Sequence, residues 1–199
     1  MSSPPAVTIV TALHNAEAFI ADTLESVSSQ TFTDWEHLIV DDASTDTGPE
    51  IVRRSMESDE RIRLITLSQN SGPAVARNAA IRESSGRYIA FLDSDDQWLP
   101  EKLAHQLTFM KETSSPFTYT WFEKVLENGQ GTGRVRRPPD RLTYDELLKE
   151  DRIRPGARVE CGAEDLGVSK QCMRTLNGIP CTTDDLGLRL FREGAKPGD

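Results

Sequence analysis

Two apolar periods alternate along the first part of the chain. Val7 to Leu13 is apolar and rich in β-branched residues, and Ile20, Leu24 and Val27 follow at i, i+4 and i+7, so a strand leads into an amphipathic helix. Trp35 to Val40 reads as a second strand, ending at Asp41-Asp42. Pro49 to about Ser58 reads as a helix, with proline tolerated in its first turn. A third strand covers Ile62 to Leu67. After the turn residues Asn70-Ser71-Gly72, an alanine-rich helix runs from Pro73 to about Ser84 and stops before Gly86, the expected C-cap. Tyr88 to Leu92 is the fourth strand. Leu99, Leu103, Leu107 and Met110 mark one face of a helix that begins near Pro100, and Thr118 to Leu126 reads as another strand.

Strands that alternate with helices across short loops imply βαβ crossovers, hence an α/β fold with a mainly parallel central sheet and helices on both faces. Ligands in such folds bind beyond the carboxyl ends of the strands. That rule gathers Leu13-His14-Asn15, Asp41-Asp42 and Asp93 to Asp96 on one rim. Beyond Gly129 the pattern fades. Gly129 to Gly133 is expected as a flexible turn, Arg134 to Arg137 as a solvated basic loop, and Tyr144 to Glu150 and Asp184 to Arg192 as short helices. Arg152 to Pro180 shows no convincing period.

The chain has 199 residues, 37% hydrophobic and 28% charged, the composition of a soluble globular protein with one compact domain. No window approaches the roughly 18 apolar residues of a membrane span. Met1-Ser2-Ser3-Pro4-Pro5 carries neither a basic nor an apolar leader region, so a cytoplasmic location is expected. Cys161, Cys172 and Cys181 fit neither a disulfide framework nor a usual zinc spacing and read as unpaired thiols. The net charge of -9 argues against nucleic acid as a partner, because that affinity comes mainly from Lys and Arg neutralising phosphates.

The chemistry concentrates where the fourth strand runs into Asp93-Ser94-Asp95-Asp96. Carboxylates crowded at a sheet edge repel one another unless something positive binds, and hard oxygen donors suit Mg²⁺ or Mn²⁺. The same residues also serve as an acidic cap for the helix that follows, and spacing alone does not separate the two roles. Asp41-Asp42-Ala43-Ser44-Thr45-Asp46 is a second acidic turn, able to accept hydrogen bonds from a nucleobase or ribose, or simply an Asx turn. Arg77 and Asn78, early in the alanine-rich helix, are placed to meet phosphate oxygens or solvent.

As a set these segments resemble the family 2 glycosyltransferases, inverting enzymes with the GT-A fold. The resemblance rests on Val7 to Asn15, Ser28-Ser29-Gln30-Thr31-Phe32, Asp41 to Asp46, Gly72 to Asn78 and Gly86 to Asp96, in family order and spacing over roughly residues 6 to 127. It implies a nucleotide-diphosphate sugar donor, a UDP-sugar first, and a saccharide or lipid-linked acceptor in bacterial polysaccharide or glycolipid assembly, with peripheral membrane association where the acceptor is a lipid. Residues 1–115 would form the donor half and 116–199 a shortened or diverged acceptor half. By position, Ala12, His14 and Asn15 would line the base pocket, with His14 where relatives often stack an aromatic residue. Asp42 would bond the base, Arg77 and Asn78 would approach the base and diphosphate, Asp95 the ribose, and Asp96 the metal, with Asp95 and Asp93 beside it.

Inversion in one displacement also needs a general base. In relatives it comes from an acidic pair opening a late helix, which the resemblance places at Asp184-Asp185, with Asp185 the base. The same pair is equally an acidic helix cap. The alternative function is a nucleotide-sugar binding module with impaired or no transfer. A nicotinamide dehydrogenase is disfavoured because Ala12-Leu13-His14-Asn15-Ala16 lacks the Gly-x-Gly-x-x-Gly turn. A sugar nucleotidyltransferase is disfavoured because that loop is neither glycine-rich nor basic.

Overall fold

The structure is a computed structural model that describes residues 3–113, 118, 120, 122–125 and 131–136. Strands β1 (Val7–Leu13), β2 (Trp35–Asp41), β3 (Ile62–Thr66) and β4 (Tyr88–Phe91) form a parallel sheet in the order β3-β2-β1-β4. Helices α1 (Ile20–Ser28), α2 (Gly48–Ser58), α3 (Pro73–Glu83) and α4 (Lys102–Thr113) connect or follow the strands. A separate antiparallel pair, β5 (Phe122–Val125) and β6 (Gly131–Arg136), lies in the second half of the chain.

The sheet is apolar on both faces, which explains why its strands read as continuous apolar runs. Val7, Ile9 and Leu13 of β1 pack with Ile20, Leu24 and Val27 of α1, Val52 of α2 and Leu103 of α4. On the opposite face Val10 joins Leu38 and Val40 against Ala76, Ala79 and Ala80 of α3. Burying each large aliphatic side chain contributes about 1.5–3 kcal/mol, far more than the few tenths that separate most residues in helix propensity. Packing therefore decides these elements.

Several boundaries differ from the sequence expectation for identifiable reasons. Helix α4 begins at Lys102 rather than near Pro100, because the Leu103 N–H donates to Gln30 Oε1 at 3.0 Å and a distant side chain thus caps the first turn. Gly86 is not a C-cap: α3 is capped at Ser84, and the described glycine with positive φ is Gly72. Gly86 instead lies so close to β1 that a Cβ there would stand 2.4 Å from the Thr8 nitrogen. Its N–H donates to Thr8 Oγ1 at 2.8 Å, and Thr8 Oγ1 donates to Glu36 Oε1 at 2.7 Å. Burial by itself would raise the Glu36 carboxyl, but hydrogen bonds from Thr8 and Ser85, with Arg63 nearby, outweigh it and hold the group below its usual range.

The expected turn at Gly129 to Gly133 and basic loop at Arg134 to Arg137 are corrected in part, since residues 131–136 are strand β6, paired to β5. Backbone pairing overrides the glycine signal there. The strand expected over Thr118 to Leu126 is observed as Phe122–Val125. The helices expected at Tyr144 to Glu150 and Asp184 to Arg192 lie outside the described residues, as do the three cysteines.

Candidate functional site

Both neighbours of β1 deliver chain to the same rim, since β2 and β4 run parallel to it on either side. The strand order reverses about β1, so the ends of β1 and β4 form the crevice where such sheets bind ligands. Leu92 N–H continues the ladder to the Val10 carbonyl at 3.0 Å, and Asp42 N–H reaches the Leu13 carbonyl at 2.8 Å. Those bonds bring the predicted segments 13–15, 41–42 and 93–96 together.

His14 projects from the end of β1 into a hydrogen-bonded frame. Its Nδ1 lies 2.9 Å from the Asp42 carbonyl, which can only accept, and its Nε2 lies 2.9 Å from Asn70 Nδ2. The Gly72 N–H donates to Asn70 Oδ1 at 3.2 Å, which orients that amide and leaves its NH₂ toward the imidazole. These partners assign Nδ1 as the donor to the Asp42 carbonyl and Nε2 as the acceptor from Asn70, so both ring nitrogens are occupied. Asp42 is 2% exposed, and its two oxygens accept the N–H groups of Ser71 at 2.8 Å and Gly72 at 2.7 Å. Gly72 has φ 87, a left-handed conformation that suits glycine, and it is the N-cap position of α3.

The loops after β1 and β2 are tied reciprocally. Asn15 Oδ1 accepts the Thr45 N–H at 2.8 Å while the Asn15 N–H donates to Ser44 Oγ at 3.2 Å. Two residues on, the Glu17 N–H donates to Asp46 Oδ2 at 2.8 Å, and Glu17 Oε2 accepts the Thr47 hydroxyl at 2.7 Å. The Thr47 hydrogen bonds hold the Glu17 carboxyl below its usual range. Asn15 and Ala43 both take positive φ, at 49 and 54. Asn tolerates that conformation, whereas Ala pays a steric cost.

At the end of β4, single carboxylate oxygens from Asp93, Asp95 and Asp96 lie within 4.8 Å of one another. Asp95 is exposed and the other two are half-buried. The three offer hard oxygen donors to a divalent cation and leave coordination positions for water or phosphate, so the residues present fit Mn²⁺ or Mg²⁺. Arg77 Nη2 of α3 lies 2.7 Å from Asp93 Oδ1, which puts a guanidinium at the edge of the acidic cluster. Asn78 is the next residue on α3, half-buried. Ala12 is partly buried against the α3 side of the sheet.

Residues 8–164 match the sequence profile described as Glycosyl transferase family 2. The chain belongs to that family. Over 145 residues it is 44% identical to a putative teichuronic acid biosynthesis glycosyltransferase, TuaG, of Bacillus subtilis, covering 73% of this chain and 58% of the relative. Over 143 residues it is 40% identical to WfgD of Escherichia coli, named as a UDP-Glc:alpha-D-GlcNAc-diphosphoundecaprenol beta-1,3-glucosyltransferase, covering 72% and 55%. The chain thus spans a little over half the length of the curated relatives it matches. Among solved structures, residues 1–349 of S. aureus TarS in complex with UDP-GlcNAc align with a TM-score of 0.56 at 27% identity, over 72% of this chain and 38% of that one. The mannosyltransferase PcManGT from Pyrobaculum calidifontis, in complex with GDP-Man and Mn²⁺, aligns with a TM-score of 0.52 at 26% identity, over 62% and 36%. The fold of this family 2 chain is the GT-A fold.

Within this family 2 domain the structure joins His14 to Asp42 and Arg77 to Asp93, and brings Asp93, Asp95 and Asp96 together. It places Asn15 in the loop tie beside His14. Asp184 and Asp185 lie outside the described residues. Sequence reasoning missed Asn70, which reaches His14 across 56 positions, and Thr23, whose hydroxyl reaches the acidic turn. Thr23 did carry a signal. It falls at i+3 from Ile20, on the apolar face of α1, where a buried hydroxyl requires a partner.

Proposed function

We propose that the protein is a metal-dependent inverting glycosyltransferase that moves a sugar from a UDP-sugar to a hydroxyl acceptor in polysaccharide or glycolipid synthesis. One observation carries this reading: in a family 2 chain, the framed His14 and the Arg77–Asp93–Asp95–Asp96 cluster converge on a single sheet rim. The UDP-Glc in the name of WfgD and the UDP-GlcNAc bound to TarS support a uridine donor. The diphosphoundecaprenol in the former name supports a lipid-linked acceptor. No helix among the described residues is long and apolar enough to cross a membrane. Meeting a lipid-linked acceptor would bring the protein to the inner membrane face, by peripheral association in this reading.

In this reading His14 presents a ring face to the base, because both ring nitrogens are already engaged by protein groups. Asp42 is nearly inaccessible, and it serves the base by holding the 70–72 loop rather than by direct contact. Ala12, Asn15 and Asn78 flank the nucleotide, and Asp95 faces the ribose. Arg77 meets the diphosphate while balancing Asp93. Asp96, with Asp95, would hold a Mn²⁺ or Mg²⁺ ion, whose chemistry there is to neutralise negative charge on the nucleoside diphosphate leaving group. Asp185, with Asp184 beside it, is assigned as the general base that takes the proton of the acceptor hydroxyl. That oxygen bonds to the anomeric carbon as the bond to the diphosphate breaks, which inverts the centre.

The test is transfer from a panel of UDP-sugars to polyprenyl-diphosphate-linked and free saccharide acceptors, with Mn²⁺ or Mg²⁺, beside Asp96→Ala and Asp185→Asn. Turnover in the wild type that both substitutions abolish is expected. Metal-dependent UDP binding without turnover on any acceptor would instead identify a binding module, and absence of UDP binding would refute both.

A further inference from the structure

Thr23 lies on the buried face of α1 and is fully inaccessible to solvent. A threonine hydroxyl in a helix commonly turns back to the carbonyl four residues earlier, and Phe19 O is 3.3 Å from Thr23 Oγ1. Two other carbonyls are nearer: Asp96 O at 2.9 Å and Ser94 O at 3.0 Å, across 73 and 71 positions of sequence. These carbonyls flank Asp95. They belong to the turn closed by the Asp96 N–H to Asp93 O bond at 3.1 Å, the turn on which the three carboxylates converge.

Like charges at this separation repel, and a turn free to relax would spread them. The Arg77 ion pair restrains Asp93 from the α3 side, and the main chain of the turn restrains the cluster from the α1 side. We propose that Thr23 is a positioning residue for Asp93, Asp95 and Asp96. Its single O–H, shared between the Ser94 and Asp96 carbonyls, ties the backbone around Asp95 to α1, so a divalent cation meets a preformed set of oxygens rather than one it must assemble. This rests on the reading that the acidic turn holds a cation.

The fold supplies its own control. Gln30, just beyond α1, grips the same segment farther from the acids: Nε2 donates to the Leu99 carbonyl at 2.8 Å and Oε1 accepts the Leu103 N–H at 3.0 Å. A purely structural role for Thr23 would make the two residues equivalent toward a metal.

The experiment is a Mn²⁺ titration of the full chain, followed by electron paramagnetic resonance with UDP present, on wild type, Thr23→Val, Thr23→Ser, Gln30→Met and Asp96→Ala. Circular dichroism and melting temperature confirm folding in each. Thr23→Val keeps the shape and loses the donor, and its Mn²⁺ dissociation constant is expected to rise about tenfold, the lower end for loss of an outer-shell contact. Thr23→Ser is expected to stay within about twofold of wild type, and Gln30→Met likewise despite a lower melting temperature. If Thr23→Val does not fold, Thr23→Ala set against Thr23→Ser makes the same comparison. Unchanged affinity on loss of the hydroxyl, or equal weakening by Gln30→Met, overturns the positioning role alone. Wild type that binds no Mn²⁺, or binds it equally after Asp96→Ala, removes the cation reading itself and this proposal with it.

Discussion

Arg77 Nη2 and Asp93 Oδ1 stand 2.7 Å apart, joining the first turns of α3 to the end of β4. Both side chains are mostly buried, at 17% and 14% exposure, so solvent screens the pair less than an ordinary surface ion pair. The contact fixes one carboxylate of the acidic cluster and stations a cation beside the others. A double-mutant cycle with Arg77→Met and Asp93→Asn is expected to give a coupling of about 1–2 kcal/mol in urea unfolding. Additive effects of the two substitutions would show that they meet without mutual stabilisation.

His37, fully buried in β2, gives the fold a pH dependence. Burial pushes its imidazole down to about 3, a shift that Asp59 only partly opposes. Its Nε2 lies 2.9 Å from Thr11 Oγ1, and its Nδ1 makes no hydrogen bond. The folded state therefore keeps the ring neutral, while the unfolded chain takes up a proton near pH 6.5. The contribution is complete above about pH 6.5 and is lost on acidification toward about pH 3, at up to about 1.4 kcal/mol per pH unit. Urea unfolding of wild type and His37→Gln at pH 7, 6 and 5 measures it, and parallel pH slopes for the two proteins would rule it out.

Gly86→Ala and Gly72→Ala should fail differently. At Gly86 a Cβ would stand 2.4 Å from the Thr8 nitrogen and 2.7 Å from the Val7 carbonyl carbon, both backbone atoms that cannot rotate away. A loss of about 3 kcal/mol is expected there from overpacking. At Gly72 nothing lies within 4 Å, so the cost is the φ of 87 alone, about 1–2 kcal/mol. Equal losses in chemical denaturation would contradict this separation.

Asn70→Ala removes the donor to His14 Nε2 and the acceptor for the Gly72 N–H together. The imidazole keeps its bond to the Asp42 carbonyl but gains freedom about it. UDP affinity measured by calorimetry is expected to fall about fivefold, the worth of one hydrogen bond of about 1 kcal/mol. An unchanged dissociation constant would separate the His14 frame from nucleotide binding.

The central sheet was legible because its residues obey local rules. Val7 to Leu13 is buried on both faces, and Ile20, Leu24 and Val27 repeat at helical spacing. The acidic turn was visible as composition. Less visible were contacts that join distant positions, such as Asn70 with His14 or Gln30 with Leu103, because no local period encodes a partner 56 or 73 residues away. Gly86 was misread for a related reason: a glycine needed for φ and one needed for close approach look alike until β1 is beside it. At residues 131–136 the glycines suggested a turn, and antiparallel pairing with β5 outweighed their weak strand preference.

Strand β1 is hydrogen-bonded along both edges, with Leu13 opposite Asp41 on one side and Val10 opposite Phe91 on the other. Each residue advances the strand about 3.3 Å and alternates faces. Adding or deleting one residue within 7–13 would therefore exchange the environments of Ile9 and Val10 and carry His14 out of step with both neighbouring strand ends at once. Substitutions in this strand can be absorbed singly by the core, but changes of length cannot. Descent from this sequence should preserve the residue count from Val7 to His14 even where the residues themselves are replaced.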